Sequence, residues 1–175
     1  AAFGYGAEVR YFFPEAHVAL GLSVEYLQAT VDRPITTANT GAVIPVSDGY
    51  TVVPIEFTGY FLIPFSGPTF GVYMGGGAGV YPGWRQYSVG NVASSSGTMA
   101  PGAGIHVLAG VSYRPISRLT ILGEMKFRDL QFKTSNSFPG TRIIYQGIAV
   151  PVSAANDASI HTDGMIFQLG VGISL

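Results

Sequence analysis

Eight residues of this chain have the chemistry to act together: Glu8, Arg10, Glu25, Glu56, His106, Glu124, Lys126 and Arg128. Carboxylates set among cations can neutralise one another, pass ions or protons, or act as acids and bases. Their spacing says where they point. In residues 118–131, Leu119, Ile121, Met125 and Phe127 share one parity. Thr120, Leu122, Glu124, Lys126 and Arg128 share the other. A two-residue period describes a strand, with the two sets on opposite faces. The charges therefore lie on the face turned away from the apolar one.

Catalysis finds little support in the same residues. As an acid or base, His106 needs a nucleophile in reach. The hairpin turning at Pro115-Ile116-Ser117 sets it opposite the Glu124–Lys126 region, with Ser112 three pairs away. An interior hydrogen-bonding role follows. His17 lies beside a turn and His161 in a loop, where His161-Thr162-Asp163 reads as an entry to a strand. Gly75-Gly76-Gly77 is followed by neither Lys-Ser/Thr nor a helix, so it is no phosphate loop. The chain has no cysteine, hence no disulfide or thiolate-metal site. The expectation is a non-enzymatic protein without cofactor or metal.

The elements that carry these residues are unusual in composition. Only 11% of residues are charged, and mean hydropathy is +0.35. That is too apolar for an ordinary water-facing surface. Yet no run of 18 apolar residues occurs, so no helix can cross a membrane. A net charge of -1 gives no reason to expect a nucleic-acid partner. The 24 glycines and 10 tyrosines suit strands better than helices. The length fits one domain spanning 1–175. With no leader segment and Ala1 at its start, the chain reads as a mature or trimmed one.

Seven segments alternate: 1–13, 17–28, 50–63, 70–84, 102–114, 118–131 and 164–175. Loops are expected over 31–48, 85–100 and 133–162. Mid-strand charges number seven: Glu8, Arg10, Glu25, Glu56, Glu124, Lys126 and Arg128. All fall on the parity opposite the large apolar residues. Random placement would do this roughly once in a hundred times, given the two-fold period of strands. An apolar outside and a polar inside suit a closed barrel in lipid, since only helices and closed barrels satisfy their backbone there. Gly71, Gly75, Gly77 and Gly79 line one inner wall, with Gly102, Gly104 and Gly110 on its neighbour. Tyr73, Tyr81, Lys126 and Arg128 either fill that space or leave a cavity.

The last segment is the clearest. Met165, Phe167, Leu169, Val171, Ile173 and Leu175 alternate with Gln168, Gly170, Gly172 and Ser174. Gln168, Gly170, Ile173 and Leu175 resemble the C-terminal assembly signal of bacterial outer-membrane barrels, though this chain ends in Leu where those usually end in Phe or Tyr. Connections at Pro14, Pro64–Pro68 and Pro115 are short and the others long. Outer-membrane barrels have short periplasmic turns and long external loops. First and last segments then both run downward, so an upward strand is expected between them, most simply from before Ala1. Together these features resemble the small barrels of the OmpA, OmpX and OmpW type. The resemblance implies an all-β, antiparallel up-and-down transmembrane β-barrel of about eight strands, seven of them visible. It also implies the bacterial outer membrane, with its lipid as partner, and no single function.

The long connections hold a repeat. Gly41-Ala42-Val43-Ile44-Pro45-Val46-Ser47 returns as Gly147-Ile148-Ala149-Val150-Pro151-Val152-Ser153. Val43, Ile44, Pro45, Val46, Ala149, Val150, Pro151 and Val152 are apolar and, on this reading, external. They are extended hairpins continuing the wall, a partner-binding surface, or a vestibule for apolar solutes. The leading expectation is a structural or surface-interaction role through the loops, toward another protein or surface. The alternative is a passive conduit for small hydrophobic molecules.

Overall fold

The computed structural model describes residues 2–36, 41–64, 67, 69–161 and 164–174. The chain is all-β. Its strands are β1 (Ala2–Phe13), β2 (Val18–Thr36), β3 (Val43–Val52), β4 (Ile55–Leu62), β5 (Phe70–Tyr81), β6 (Gly83–Val89), β7 (Val92–Ala93), β8 (Ser95–Ile116), β9 (Leu119–Ser137), β10 (Arg142–Tyr145), β11 (Ile148–Pro151), β12 (Ala155–His161) and β13 (Gly164–Ile173). Eleven form one antiparallel sheet; β10 and β11 form a separate hairpin.

Sequence neighbours pair throughout. β1 lies on β2, and β2 carries β4 along Val18–Val24 and β3 along its second half. β5 joins β4 to β8, β6 pairs with β3, and β9 carries β8, β12 and β13. β3 and β4 act as one wall strand interrupted at Val53-Pro54, as β5 and β6 are at Pro82. Proline has no N–H to give a ladder. The two interruptions sit together: Val53 N–H donates to Pro82 O at 2.8 Å, and Glu25 N–H to Pro54 O at 2.9 Å.

Three connections expected as long loops are largely strand. β2 runs on to Thr36 and β3 begins at Val43; β6 and β8 occupy most of 85–100; β9, the hairpin and β12 occupy most of 133–162. β2 and β9 have 19 residues each, and β8 has 22. A tilted strand crosses a bilayer with about 9–11. The strands therefore continue well past the alternating segments, away from the short turns at Pro14–Ala16 and Ser117-Arg118.

The two halves of the sheet have opposite polarity. Toward the short turns, Leu20, Leu22, Val24, Phe57, Val107, Ile121, Phe127 and Leu169 are exposed, while Ser23, Glu25, Glu56, Thr58, Lys126 and Arg128 are buried. Past that zone the outer stripe of β2 turns from Tyr26 to Gln28, Thr30 and Asp32. The stripe of β9 turns from Phe127 to Asp129, Gln131 and Lys133, so Asp129, expected at a strand end, stands on the outer face. Inside, the same half holds an apolar cluster of Ile44, Val46, Val89, Phe138, Ile143 and Val150, beside buried Thr134 and Asn136.

Glycines let side chains fill the charged half. A Cβ on Gly110 would stand 2.6 Å from the Tyr73 hydroxyl, and one on Gly79 would stand 2.6 Å from Ile55 O. Gly77 takes the His106 ring, with Cε1 3.0 Å from where its Cβ would be. The inner wall is thus filled, as one of the two expected outcomes. Gly110→Ala should destabilise the fold by about 1–3 kcal/mol through overpacking. Urea unfolding measures it, and a Tyr73→Leu background should remove most of the penalty.

Candidate functional site

The inner face of the sheet brings the eight sequence-selected residues into two linked groups. The first joins β2, β4 and β9. Lys126 Nζ donates to Glu25 Oε1 at 2.8 Å and to Glu56 Oε2 at 2.9 Å. Arg128 reads Glu56 bidentately, Nε to Oε1 at 2.6 Å and Nη2 to Oε2 at 2.9 Å. Such a fork fixes both partners in one plane. Arg128 Nη2 also lies 2.6 Å from Glu25 Oε2, but that oxygen accepts no hydrogen bond. We count this contact as an ion pair without a directed bond. Tyr81 adds its hydroxyl to Glu56 Oε1 at 2.9 Å.

The second group centres on Arg10. Its Nη2 donates to Glu8 Oε2 at 2.7 Å and to Glu124 Oε1. Tyr60 donates to Glu8, and Tyr73 to Glu124 at 2.6 Å. The guanidinium lies over the Tyr60 ring, 4.2 Å from its centroid, and 5.3 Å from that of Tyr73. Aromatic faces attract a cation where water is scarce. Arg10 stands on the edge strand β1, and Glu124 on β9, next to the opposite edge. These pairs therefore cross the interior, and the sheet is curled around them.

His106 is 2% exposed and joins the first group. Its Nε2 lies 2.9 Å from Thr58 Oγ1, and its Nδ1 lies 3.7 Å from Glu56 Oε1 without a hydrogen bond. It pairs in register with Arg128, not with the Glu124–Lys126 region. The turn sits later than expected, at Ser117-Arg118, which carries the ladder past Lys126; a register shift between Tyr113 and Ile116 then sets it back by one residue. Ser112 pairs with Leu122 and approaches Gly71 O at 3.5 Å. The hydroxyl beside the imidazole is that of Thr58, which is buried with it. Thr162 and Asp163, next to His161, lie outside the described residues.

Tyr60, Tyr81 and Thr58 were not selected as network members. Their signal was inward parity, which they share with the charges. Asp48 and Arg85 escaped because they were placed in a loop. They face each other from β3 and β6, with Arg85 Nε and Nη2 donating to Asp48 at 2.7 and 2.6 Å.

The repeated apolar motifs come together. Ile44 and Val46 from the first, and Val150 and Val152 from the second, pack in one cluster. Val43, Pro45, Ala149 and Pro151 face out. Hairpin β10–β11 thus lies over the end of the sheet by side-chain contact, without joining its ladder. In the terminal strand, Gln168 and Gly170 face the half-buried side and Ile173 is exposed; Leu175 lies outside the described residues.

Between β1 and β13 lies a cleft of about 1450 Å³, reached by Glu8, Arg10, Glu124 and Arg128. Among the described residues no group of His, Asp or Glu could hold a metal ion. Replacing Lys126 with Met leaves Glu25 with only its Arg128 ion pair, and Glu56 with Arg128 and Tyr81. The expected loss is about 3–5 kcal/mol, as for one partner of a buried pair. Denaturant midpoints measure this, and an unchanged midpoint would mean that water replaces the ammonium.

No protein-family model matches the chain, and no curated protein or solved structure matches it either.

Proposed function

We propose that this chain is a transmembrane β-barrel protein of a bacterial outer membrane, an antiparallel up-and-down barrel of about eight strands. Its role on this reading is structural and non-enzymatic, with the loop end binding a partner at the cell surface. The observation that carries the reading is the reversal of polarity along β2 and β9. One half is apolar outside and charged inside; the other holds an apolar cluster with uncharged Thr134 and Asn136 inside, and Asp32, Asp129 and Lys133 outside. A single solvent does not favour both arrangements. Lipid around the first half and water around the second does, because a charge facing mid-bilayer costs about 2–4 kcal/mol. The apolar stripe of β2 from Val18 to Tyr26 covers nine residues, close to the length of about 9–11 that a tilted strand needs to cross.

The loop end supports the surface role. Beyond the apolar belt, Val31, Ile35, Val43 and Ile144 remain exposed, Ile144 at 76%. Apolar groups left in water on a strand extension mark a contact surface when clustered. The second reading, a passive conduit for small hydrophobic molecules, is favoured by the cleft between β1 and β13. Against it stand two cross-interior ion-pair groups and the apolar packing under the β10–β11 hairpin.

Spin labels in reconstituted vesicles test the membrane reading. Labels at Leu20, Leu22, Val24, Ile121 and Leu169 should be accessible to oxygen and shielded from aqueous relaxants. Water-exposed labels there would sink it. Planar bilayers should show no discrete conductance, and small apolar dyes should leave vesicles no faster than they leave protein-free ones. Rapid dye release dependent on the protein would favour the conduit.

A further inference from the structure

β1 and β13 are the two ends of the sheet. Each pairs on one side, β1 with β2 and β13 with β9, and neither has a second neighbour among the described residues. Each main pairing is antiparallel, so β1 and β13 run the same way. They line the same cleft. Direct closure would require a parallel pair, which is absent. An inserted strand running against both satisfies both rows of backbone groups at once. In hydrocarbon each unsatisfied group costs several kcal/mol.

Direction also limits the occupant. A second copy in the same membrane orientation presents β1 and β13 running the same way again. It cannot offer an antiparallel edge without being turned upside down. The β10–β11 segment is already folded as its own hairpin over the loop end. The unpaired edge runs on past the start of β1. β2 continues from Val31 to Thr36 with β3 on one side and no described β1 residue opposite on the other. Residues leading into β1 would extend it along that edge, then turn back toward the short-turn end. At the other end β13 finishes level with β9, at Ile173 opposite Leu119. Interior charge fits such an insertion too: Glu8, Glu25, Glu56 and Glu124 outnumber Arg10, Lys126 and Arg128 by one. A basic residue facing inward near Glu8 would balance the count.

We propose that the cleft between β1 and β13 is a strand-acceptor site, filled by the segment of the same polypeptide immediately upstream of Ala1, antiparallel to both edges. The proposal rests on the barrel reading above. Its occupant is a strand of about ten residues, the length that crosses a bilayer, apolar outward and small or polar inward.

The test uses the full-length gene product reconstituted in lipid vesicles. Amides of β1 and β13 should exchange on the order of a hundredfold more slowly than in a variant lacking the upstream segment, as paired strands do relative to open ones. Amides in the β5–β8 pair should exchange alike in both, which shows that the shortened variant still folds. The chain has no cysteine, so paired substitutions report proximity cleanly. Ala7→Cys or Val9→Cys, each combined with Phe167→Cys, Leu169→Cys or Val171→Cys, should form no direct disulfide. A linker spanning about 10 Å, two strand spacings, should join them. Direct disulfides would overturn the proposal by showing β1 against β13. So would fast exchange of both edges in the full-length protein, or equal protection after removal of the upstream segment. Failure of the membrane reading looks different: Leu20 and Val24 labels would sit in water while edge protection persisted.

Discussion

The pairing of Lys126 and Arg128 with Glu25 and Glu56 is the contact on which the shape of this molecule depends. The cations stand on β9 and the carboxylates on β2 and β4, strands far apart in the sheet order. A sheet twists by itself, but twist alone does not bring its second strand to its second-last. The ion pairs do, and Arg10 repeats the closure one level away by joining β1 to Glu124. Glycine permits this. Bulk on Gly77, Gly79 or Gly110 would occupy the space that His106, Glu56 and Tyr73 need.

Buried ion pairs are poor sources of net stability, because desolvation offsets most of the attraction. Their merit here is direction. On the membrane reading proposed above, a mid-strand lysine turned outward would be heavily penalised, whereas Lys126 facing two glutamates is satisfied. The network therefore fixes which face of every strand points inward, since a one-residue slip would turn all of its members outward. Register and curvature follow from one set of contacts. At the loop end, where the outer stripes become polar, ordinary apolar packing takes over and the interior changes to Ile44, Val89, Phe138 and Val150.

That division explains what could be read from the sequence. Alternation placed Glu8, Arg10, Glu25, Glu56, Glu124, Lys126 and Arg128 on the inner parity, and the structure puts them on the inner face. Exposure of Met165, Phe167, Leu169, Val171 and Ile173 follows the same rule. The strand extensions were not legible. Residues 31–36 and 43–48 contain Pro34, Pro45 and two aspartates, all signals of a loop. Yet Pro34 pairs with Pro45 in register, so neither position asks the other for an N–H. The partners of the charges were only half legible. Tyr60, Tyr73 and Tyr81 face in while Tyr5, Tyr11 and Tyr113 face out, and parity alone separates them. The place of His106 opposite Arg128 follows from a turn at Ser117-Arg118, later than Pro115-Ile116-Ser117 suggests, and from a one-residue irregularity near Tyr113.

The repeated apolar motifs show how one sequence solution serves two different elements. In β3, Ile44 and Val46 point in while Val43 and Pro45 point out; in β11 and the residue after it, Val150 and Val152 point in while Ala149 and Pro151 point out. Both need two branched apolar side chains two residues apart. Proline takes an outward position in each; Pro45, on a strand flanked by β2 and β6, pairs with Pro34 and accepts from Gly90 N–H at 2.8 Å. The two segments are alike because they meet across one small core from opposite sides. Their likeness follows from that shared packing. It leaves outside the core the side chains that the packing does not use, among them Val43 and Ile144, both exposed.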